Sequence, residues 1–352
     1  MSFEWHLVSV EEVCDLIVDC VNKTAPVVLQ KTPYRMIRTT NVRNGTVDLA
    51  QCRYVEQETY EKWTRRAKLQ TGDVVLTREA PIGEVGLVTE SEGVFLGQRV
   101  MQYRANPKIL DPRFLLYSFL SPALQHQFGS HEGSGSVVSH IRVGDCFKFK
   151  LRLPPLKTQQ AVATLLGALD DRIALLRETN ATLEAIAQAL FKSWFVDFDP
   201  VRAKMEGRAP EGLDEATAAL FPDSFEESAL GLVPTGWGMK TMADISTVGI
   251  GKTPPRKEQQ WFTENSEDVR WVSIRDMGLG GIYASNTSEY LTNDAVDRFN
   301  IRRVPDNTVI MSFKMTIGRV AITDGEMTTN EAIAHFKLSE GAMVSTEYVS
   351  YT

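Results

Sequence analysis

The alternation of apolar and polar residues is most regular between residues 156 and 198, where it predicts one long helix. Apolar side chains recur four and three residues apart, with a polar interruption at Asn180; these seam positions are Val162, Leu166, Leu169, Ile173, Leu176, Asn180, Leu183, Ala187, Leu190 and Trp194. This alternation is that of a coiled coil and requires a partner helix. At about 1.5 Å per residue, a helix from Thr158 to Phe195 is about 55–60 Å long, longer than a small domain is wide. The segment is therefore predicted to be a spacer, bounded by Pro154–Pro155 and by Asp199–Pro200.

On both sides of this helix, short β-branched runs predict strands. Val74–Thr77 and Glu84–Val88 are joined through turn residues, and Val309–Ser312 and Arg319–Ile322 repeat the arrangement. Helices are predicted over residues 10–21, 58–67 and 112–119. We therefore predict an α+β fold in which each β-rich domain is a curled sheet with helices at its edges.

The two flanks are copies of one another. The matched stretches are Trp5 with Trp237, Lys23–Pro26 with Lys252–Pro255, Arg53–Trp63 with Glu289–Phe299, Gly72–Val88 with Asn307–Thr323, Leu96–Ala105 with Thr329–Leu338, and Phe114 and Tyr117 with Tyr348 and Tyr351. The offset between them stays between about 229 and 236, which indicates domain duplication rather than a short solenoid repeat. The predicted organisation is a first domain over residues 1–155, a spacer helix over 156–198, an acidic linker over 199–231 and a second domain over 232–352.

The second copy ends earlier than the first. After Tyr117 the first copy continues through a glycine- and serine-rich loop, a strand and the long helix, whereas the second copy reaches Thr352 at the counterpart of Ser118. Two explanations are open: the sequence is incomplete, which we favour, or the long helix pairs with the same helix of a second copy of the chain.

Several classes of site are not supported by the sequence. The four cysteines form no CxxC pair, and the five histidines are scattered, so neither zinc spacing nor another metal site is indicated. In Gly251–Lys252–Thr253, a P-loop would need a glycine at Ser246 and a helix where Pro254–Pro255 stand. No segment is apolar for long enough to span a membrane, and the N-terminus lacks a signal peptide, which predicts a cytoplasmic protein.

The string LFKSWFVDFDPVRAK (Leu190–Lys204), together with the LPPL entry and the long helix between them, resembles the central conserved region of the DNA-specificity subunit of type I restriction–modification systems. The resemblance covers essentially the whole chain and implies two target-recognition domains, each of which reads one half of a split DNA site. It implies a non-catalytic subunit whose partners are double-stranded DNA, methyltransferase subunits and a restriction subunit. S-adenosylmethionine, ATP and magnesium would be bound by those partners and not by this chain.

The net charge of −7 conflicts at first with DNA binding, because phosphate contacts require Lys and Arg. Most of the excess lies between Asp197 and Gly231, where nine acidic residues stand against three basic ones. Residues 1–155 carry +2 and residues 232–352 carry −3. The first domain can therefore present a basic face, whereas the second can do so only if its bases are clustered.

Candidate DNA contacts are basic and amide side chains in loops, because guanidinium groups pair with guanine and amides with adenine. In the first copy they are Lys31, Arg35, Arg38, Asn41, Arg43, Arg78, Ser139, His140 and Arg142. In the second copy they are Lys252, Arg256, Lys257, Arg275 and Lys314. Each of these is equally compatible with a solvated surface position. The alternative function is a scaffold that does not bind DNA, whose duplicated domains bind peptide or sugar and whose helix drives oligomerisation.

Overall fold

The computed structural model describes residues 5–130, 140–229, 231–278 and 281–352. The chain forms two compact units, Met1–Thr179 and Asn180–Thr352, here called unit 1 and unit 2. Each unit mixes helices with several small sheets, which confirms the predicted α+β class. The division falls within the long helix, so each unit includes part of it.

The described residues of unit 1 form eleven strands and four short α-helices before the long helix begins. The strands are β1 His6–Ser9, β2 Cys14–Asp19, β3 Arg35–Ile37, β4 Val42–Arg43, β5 Thr46–Val47, β6 Arg53–Tyr54, β7 Val74–Arg78, β8 Ile82–Leu87, β9 Val94–Leu96, β10 Val100–Ala105 and β11 Lys150–Leu153. The helices are α1 Val10–Val13, α2 Gln57–Trp63, α3 Pro112–Leu120, α4 Pro122–Gly129 and α5 Leu156–Phe191.

In unit 2, α5 is followed by a π-helical turn, Lys192–Val196, and then by further helices and strands. The helices are α6 Asp199–Met205, α7 Glu215–Ala219, α8 Met242–Ile245, α9 Asn293–Arg298 and α10 Thr346–Tyr351. The strands are β12 Phe225–Ser228, β13 Gly231–Pro234, β14 Ser246–Ile250, β15 Phe262–Thr263, β16 Val269–Val272, β17 Tyr283–Ala284, β18 Glu289–Leu291, β19 Val309–Ser312, β20 Val320–Thr323, β21 Thr328–Thr329 and β22 Ile333–Leu338.

The strand order of unit 1 is repeated in unit 2. The main sheet runs β2-β10-β7-β8 in unit 1 and β14-β22-β19-β20-β17 in unit 2. The second sheet runs β6-β3-β9 in unit 1, and β18-β16-β21 appears in the same order in unit 2, with β3–β9 and β16–β21 as parallel pairs. This correspondence confirms that the two flanks of the helix are homologous β-rich domains.

Local capping is repeated as well. Helix α1 begins with a capping box in which the backbone N–H of Ser9 donates to Glu12 at 2.8 Å, and α8 begins with the same box between Thr241 and Asp244 at 2.7 Å. Hydrogen bonds from the Ser9 hydroxyl and then from its N–H hold the pKa of Glu12 below its usual range, and those from the Thr241 N–H and then from its hydroxyl do the same for Asp244.

Two predicted segments fold differently from expectation. The helix predicted over residues 10–21 ends at Val13, because Cys14–Asp19 pair with β10 as a strand. The acidic segment after residue 198 was predicted to be a solvated linker, yet it forms two helices and a hairpin. Val201 and Phe221 are buried, and Nζ of Lys204 donates to the carbonyl oxygen of Ala218 at 3.2 Å, which fixes α6 against α7.

The four cysteines are free; Cys20, Cys52 and Cys146 are buried and Cys14 is half-buried. Burial raises the pKa of the Cys52 and Cys146 thiols to about 11, so both are neutral near pH 7. Among the residues the structure describes, no helix is long and apolar enough to cross a membrane.

His335 lies in the main sheet of unit 2, and its burial predicts how the free energy of unfolding depends on pH. It is only 3% exposed, and Nε2 is 2.6 Å from the Thr329 hydroxyl. Burial, and secondarily the nearby Arg302, lowers its pKa from 6.5 to about 4. Because the unfolded chain binds this proton more readily, the free energy of unfolding is expected to fall as the pH drops from about 6.5 towards 4.

The matched variant is His335→Gln, since glutamine occupies the equivalent position, Gln102, in unit 1. Chemical denaturation at several pH values should show a flatter profile for His335→Gln between pH 6.5 and 4. If the unaltered chain and His335→Gln showed the same pH dependence, the destabilisation at low pH would not come from His335.

Candidate DNA interface and the long helix

Several of the predicted DNA-contact residues of unit 1 meet at one edge of its sheets. Arg38 follows the last residue of β3, and Arg78 ends β7. The Thr39 hydroxyl donates to the carbonyl oxygen of Ala80 at 3.0 Å, and Nη1 of Arg78 donates to the carbonyl oxygen of Ile141 at 3.0 Å. These hydrogen bonds bring together the loops that carry Arg38, Asn41, Arg43, Arg78, His140 and Arg142. We call this set of loops the unit 1 edge.

The side chains at the unit 1 edge differ in how far they can reach outward. Arg142 is exposed, and Arg43 donates through Nη1 to the carbonyl oxygen of Val42 at 2.7 Å. Asn41 is only 2% exposed, and its Oδ1 accepts the backbone N–H of Arg38 at 2.9 Å. Asn41 therefore stabilises the turn that follows β3. Ser139 lies outside the described residues.

Three buried donors at the unit 1 edge have no hydrogen-bond partner among the described residues. They are Nε of Arg38, Nε of Arg78 and Nδ2 of Asn41. A buried donor without a partner costs about 1–3 kcal/mol. The edge therefore contains donors that an added acceptor would satisfy.

Lys31 and Arg35 are placed away from that edge. Arg35 begins β3, whereas Arg38 follows its end, so their backbones are about 10 Å apart. The Arg35 guanidinium forms an ion pair with Glu90, and Lys31 is exposed in the loop before β3.

Three of the five basic residues predicted in unit 2 lie in loops that follow strands of its sheets, and we call these three loops the unit 2 edge. Lys252 follows β14, Arg275 follows β16 and Lys314 follows β19. Backbone hydrogen bonds converge on the segment before β22: Lys252 N–H donates to the Thr329 carbonyl oxygen at 2.9 Å, and Phe313 N–H donates to that of Ala332 at 3.0 Å. These hydrogen bonds place the loops after β14 and β19 beside the segment that leads into β22, and Nζ of Lys252 donates to the carbonyl oxygen of Phe299 at 2.6 Å.

Arg256 has a different environment. Its guanidinium donates to both carboxylate oxygens of Glu289, at 2.8 and 3.0 Å, and lies over the rings of Phe262 and Trp271 at 4.4 and 4.5 Å. This side chain is therefore paired within unit 2 although it is exposed, and the neighbouring Lys257 is exposed as well.

Sequence reasoning missed Arg99, which also lies at the unit 1 edge. It has a φ of +70° between β9 and β10, its carbonyl oxygen accepts the Arg78 N–H at 2.8 Å, and its Nε is 3.0 Å from Glu79. Its repeat counterpart is Ala332, so the comparison of the two copies gave no signal for it.

The first half of α5 is anchored to unit 1 by a buried glutamine. Gln159 is fully buried; its Oε1 accepts the N–H of Asp111 at 2.9 Å, and its Nε2 donates to the carbonyl oxygens of Ile109 and Pro154 at 2.9 and 2.8 Å. Two turns later, Gly167 leaves space for the Arg113 guanidinium, because a Cβ there would lie 2.2 Å from Nη1.

The end of α5 is anchored to unit 2 by aromatic side chains. The Phe195 ring lies 5.9 Å from that of Trp237 and 5.2 Å from that of Tyr348. The Phe191 ring lies 5.4 Å from Tyr348 and 5.6 Å from Tyr351. We call Phe191, Phe195, Trp237, Tyr348 and Tyr351 the exit cluster.

Between these anchors, the predicted seam of α5 is largely uncovered. Leu169, Ile173, Leu176, Leu183 and Leu190 are each between 45% and 58% exposed, whereas Val162, Leu166 and Trp194 are half-buried. A row of exposed leucines along a helix is typical of a surface that another helix covers. The partner helix required by the heptad pattern is not among the described residues.

Comparison with known proteins places the chain in a family. Residues 3–185 match the family model described as type I restriction modification DNA specificity domain. The chain is 27% identical over 307 residues to the Type I restriction enzyme HindI specificity subunit of Haemophilus influenzae, an alignment that covers 75% of this chain and 66% of the relative. It is 23% identical over 312 residues to the MjaIX specificity subunit of Methanocaldococcus jannaschii, covering 86% of this chain and 66% of that relative.

Among solved structures, the chain is similar to a type I restriction–modification S subunit from M. genitalium, with 15% identity, a TM-score of 0.45, and coverage of 97% of this chain and 74% of the other. It is also similar to the HsdS subunit from Thermoanaerobacter tengcongensis, with 15% identity, a TM-score of 0.37, and coverage of 100% and 79%. The chain spans about 66% of the length of the first two relatives. Since the matched residues 3–185 are more than half of its 352 residues, the chain belongs to the family of type I restriction–modification DNA specificity domains.

Proposed function

We propose that the chain reads DNA sequence for a type I restriction–modification complex, with each unit binding one half of a two-part site and α5 setting the gap between the halves. The observation that supports this most is the repetition of one strand order in two units that are built on the two ends of a single helix. Two copies of one binding fold at a set separation can measure a distance as well as recognise bases.

The contact surfaces in this proposal are the unit 1 edge and the unit 2 edge. Both carry basic side chains in loops, and such side chains can contact DNA phosphates and the edges of nucleobases. The unpartnered Nε groups of Arg38 and Arg78 would gain acceptors from DNA. DNA contact remains a prediction for all of the basic and amide side chains proposed from the sequence, including Lys31, Arg35 and Arg256.

In this proposal the chain carries no catalytic site. Methylation would belong to methyltransferase subunits that bind S-adenosylmethionine, and cleavage to a restriction subunit that uses ATP and magnesium. The exposed seam of α5 is where a partner helix would pack. The domain limits inferred from the sequence also remain predictions.

The rival function is a scaffold that does not bind DNA. The exposed seam of α5 is as compatible with this scaffold as with the DNA-reading function. Binding of the chain to duplex DNA, measured at low and moderate salt, separates the two. The DNA-reading function predicts affinity that falls steeply with salt, because bound counterions are released from phosphates. Binding that is absent, or insensitive to salt, would favour the scaffold.

Arg38→Ala provides a sharper test at one residue. If Arg38 reads a base, binding to the cognate site should weaken by about 1–3 kcal/mol and specificity should relax at one position. If it contacts only phosphate, binding should weaken uniformly and the salt slope should fall by about one. Lys108→Ala, in the loop between β10 and α3, removes a charge away from the unit 1 edge and is the control. Equal effects of the two substitutions would contradict a role for Arg38 in contacting DNA.

A further inference from the structure

The turn between β19 and β20 carries an exposed methionine on a braced backbone. The Ser312 hydroxyl is fully buried; it donates to the carbonyl oxygen of Thr316 and accepts the N–H of Arg319 at 3.1 Å. Met315, at the tip, is 95% exposed and has a φ of +59°. A left-handed backbone costs free energy in a residue that has a Cβ, so this conformation depends on the hydrogen bonds that hold the turn. We call residues 313–318 the unit 2 turn.

Unit 1 contains the same turn between β7 and β8. The buried Thr77 hydroxyl donates to the carbonyl oxygen of Pro81 at 2.7 Å and accepts the N–H of Glu84 at 3.0 Å. Ala80 occupies the place of Met315, with a φ of +48°, and is exposed. This tip position contacts solvent in a copy of the fold that also contains α4 and β11. The exposure of the tip is therefore a property of the turn itself.

The tips of the two turns differ in chemistry. Unit 1 has Glu79 and Ala80 where unit 2 has Lys314 and Met315. The brace and the left-handed backbone are common to both turns, whereas the tip changes from an acidic and a small side chain to a basic and a long apolar one. Recognition residues are commonly carried on loops that a rigid scaffold positions. The two turns can therefore present different groups to the two halves of a site.

The unit 2 turn places Met315 near cationic side chains. Lys314 is exposed directly before it. Nη1 of Arg319 donates to the carbonyl oxygen of Ile274 at 2.8 Å, which ties the turn to the loop that carries the exposed Arg275. An apolar tip beside cations fits a ligand with both negative charge and apolar surface. In DNA the phosphates supply the charge, and the 5-methyl group of thymine is an apolar group exposed in the major groove.

We propose that Met315 contacts the 5-methyl group of a thymine in the half-site that unit 2 reads, while Lys314 contacts a neighbouring phosphate. This inference rests on the DNA-reading function proposed above and assigns one side chain to one base within it. Because the backbone of the turn is already fixed, Met315 loses little more than side-chain freedom on binding. Contact between its thioether chain and the methyl group removes apolar surface of both from water.

The probe is a set of DNA duplexes that contain the motif found by methylation mapping, with each thymine replaced in turn by uracil. This replacement removes the 5-methyl group and nothing else. For the full chain in complex with a type I methyltransferase subunit, one replacement, in one half of the motif, should weaken binding about fourfold, the value of one buried methyl group. Met315→Ala should weaken binding to the thymine duplex at least as much. It should also bind the thymine and uracil duplexes equally, because the contact is already lost.

Met343→Ala is the matched control. Met343 is 99% exposed in the same unit, and it follows the end of β22, whereas the unit 2 turn lies beside its beginning. This variant should keep the preference for thymine over uracil. Met315→Ala should unfold at the same denaturant concentration as the unaltered chain, because Ala80 adopts the same backbone conformation in unit 1.

The outcomes separate this inference from the function on which it rests. Binding of the unaltered complex to the motif with no preference for thymine over uracil at any position would overturn the contact and leave the DNA-reading function intact. A preference that Met315→Ala retains would do the same. Absence of sequence-specific DNA binding would overturn both.

Discussion

Inserting four helix-forming residues into α5 after Ala181 is expected to lengthen the preferred gap between the two half-sites by one or two base pairs. Four residues add about 6 Å to a helix. Since DNA rises about 3.4 Å per base pair, that length corresponds to at most about two base pairs. Four residues are slightly more than one helical turn, so the faces of α5 that contact each unit keep nearly the same orientation.

The preferred gap of this insertion variant is measured by methylation mapping in cells that also express the methyltransferase subunit. The control carries the same four residues between α6 and α7, after Gly207, where α5 is unchanged. That control should keep the original gap. An α5 insertion that leaves the gap unaltered would refute the idea that helix length sets it.

Phe195→Ala is expected to lower the free energy of unfolding of unit 2 by about 2–4 kcal/mol. The Phe195 ring lies within 5.9 Å of the rings of both Trp237 and Tyr348, and its loss leaves a cavity in the exit cluster. Because the exit cluster fixes the end of α5 to unit 2, the variant should also accept DNA sites with a wider range of gaps.

Chemical denaturation measures the first effect of Phe195→Ala, and methylation mapping measures the second. Leu220→Ala, at a side chain 78% exposed in the same unit, should change the free energy of unfolding by no more than about 0.5 kcal/mol. If Phe195→Ala resembled Leu220→Ala in both measurements, the exit cluster would not be the anchor described here.

The long helix and the duplication could be predicted from the sequence because both depend on patterns within the chain. The 4-3 spacing from Val162 to Trp194 predicted a continuous helix, and α5 with its π-helical turn runs from Leu156 to Val196. The matched stretches predicted one fold twice, and the shared strand order confirms it.

Errors arose where tertiary pairing overrides local preference. The capping box at Ser9 favours a helix start, and the apolar residues after it have acceptable helical spacing. Pairing of Cys14–Asp19 with β10 nevertheless makes that segment a strand after one turn. The acidic composition after Phe198 indicated a linker, whereas a few buried residues, among them Val201 and Phe221, are sufficient to order it.

The candidate site was only partly accessible from the sequence, because exposure and pairing depend on distant residues. Arg38 and Arg78 could be proposed from residue type, and the structure places their loops side by side. The burial of Asn41, and the contacts of Arg256 with Glu289, could not be read from their neighbours in the chain. Arg99 was missed because its place at the unit 1 edge depends on the backbone conformation of the loop between β9 and β10.

The central claim is that two related domains, held on one helix, read a DNA site of two parts. Methylation mapping in cells that express this chain together with a type I methyltransferase subunit tests it most directly. The account predicts methylation at a motif with two specific halves separated by a gap of constant length, and predicts that this pattern disappears without the chain. A single continuous motif, or methylation that does not depend on the chain, would contradict it.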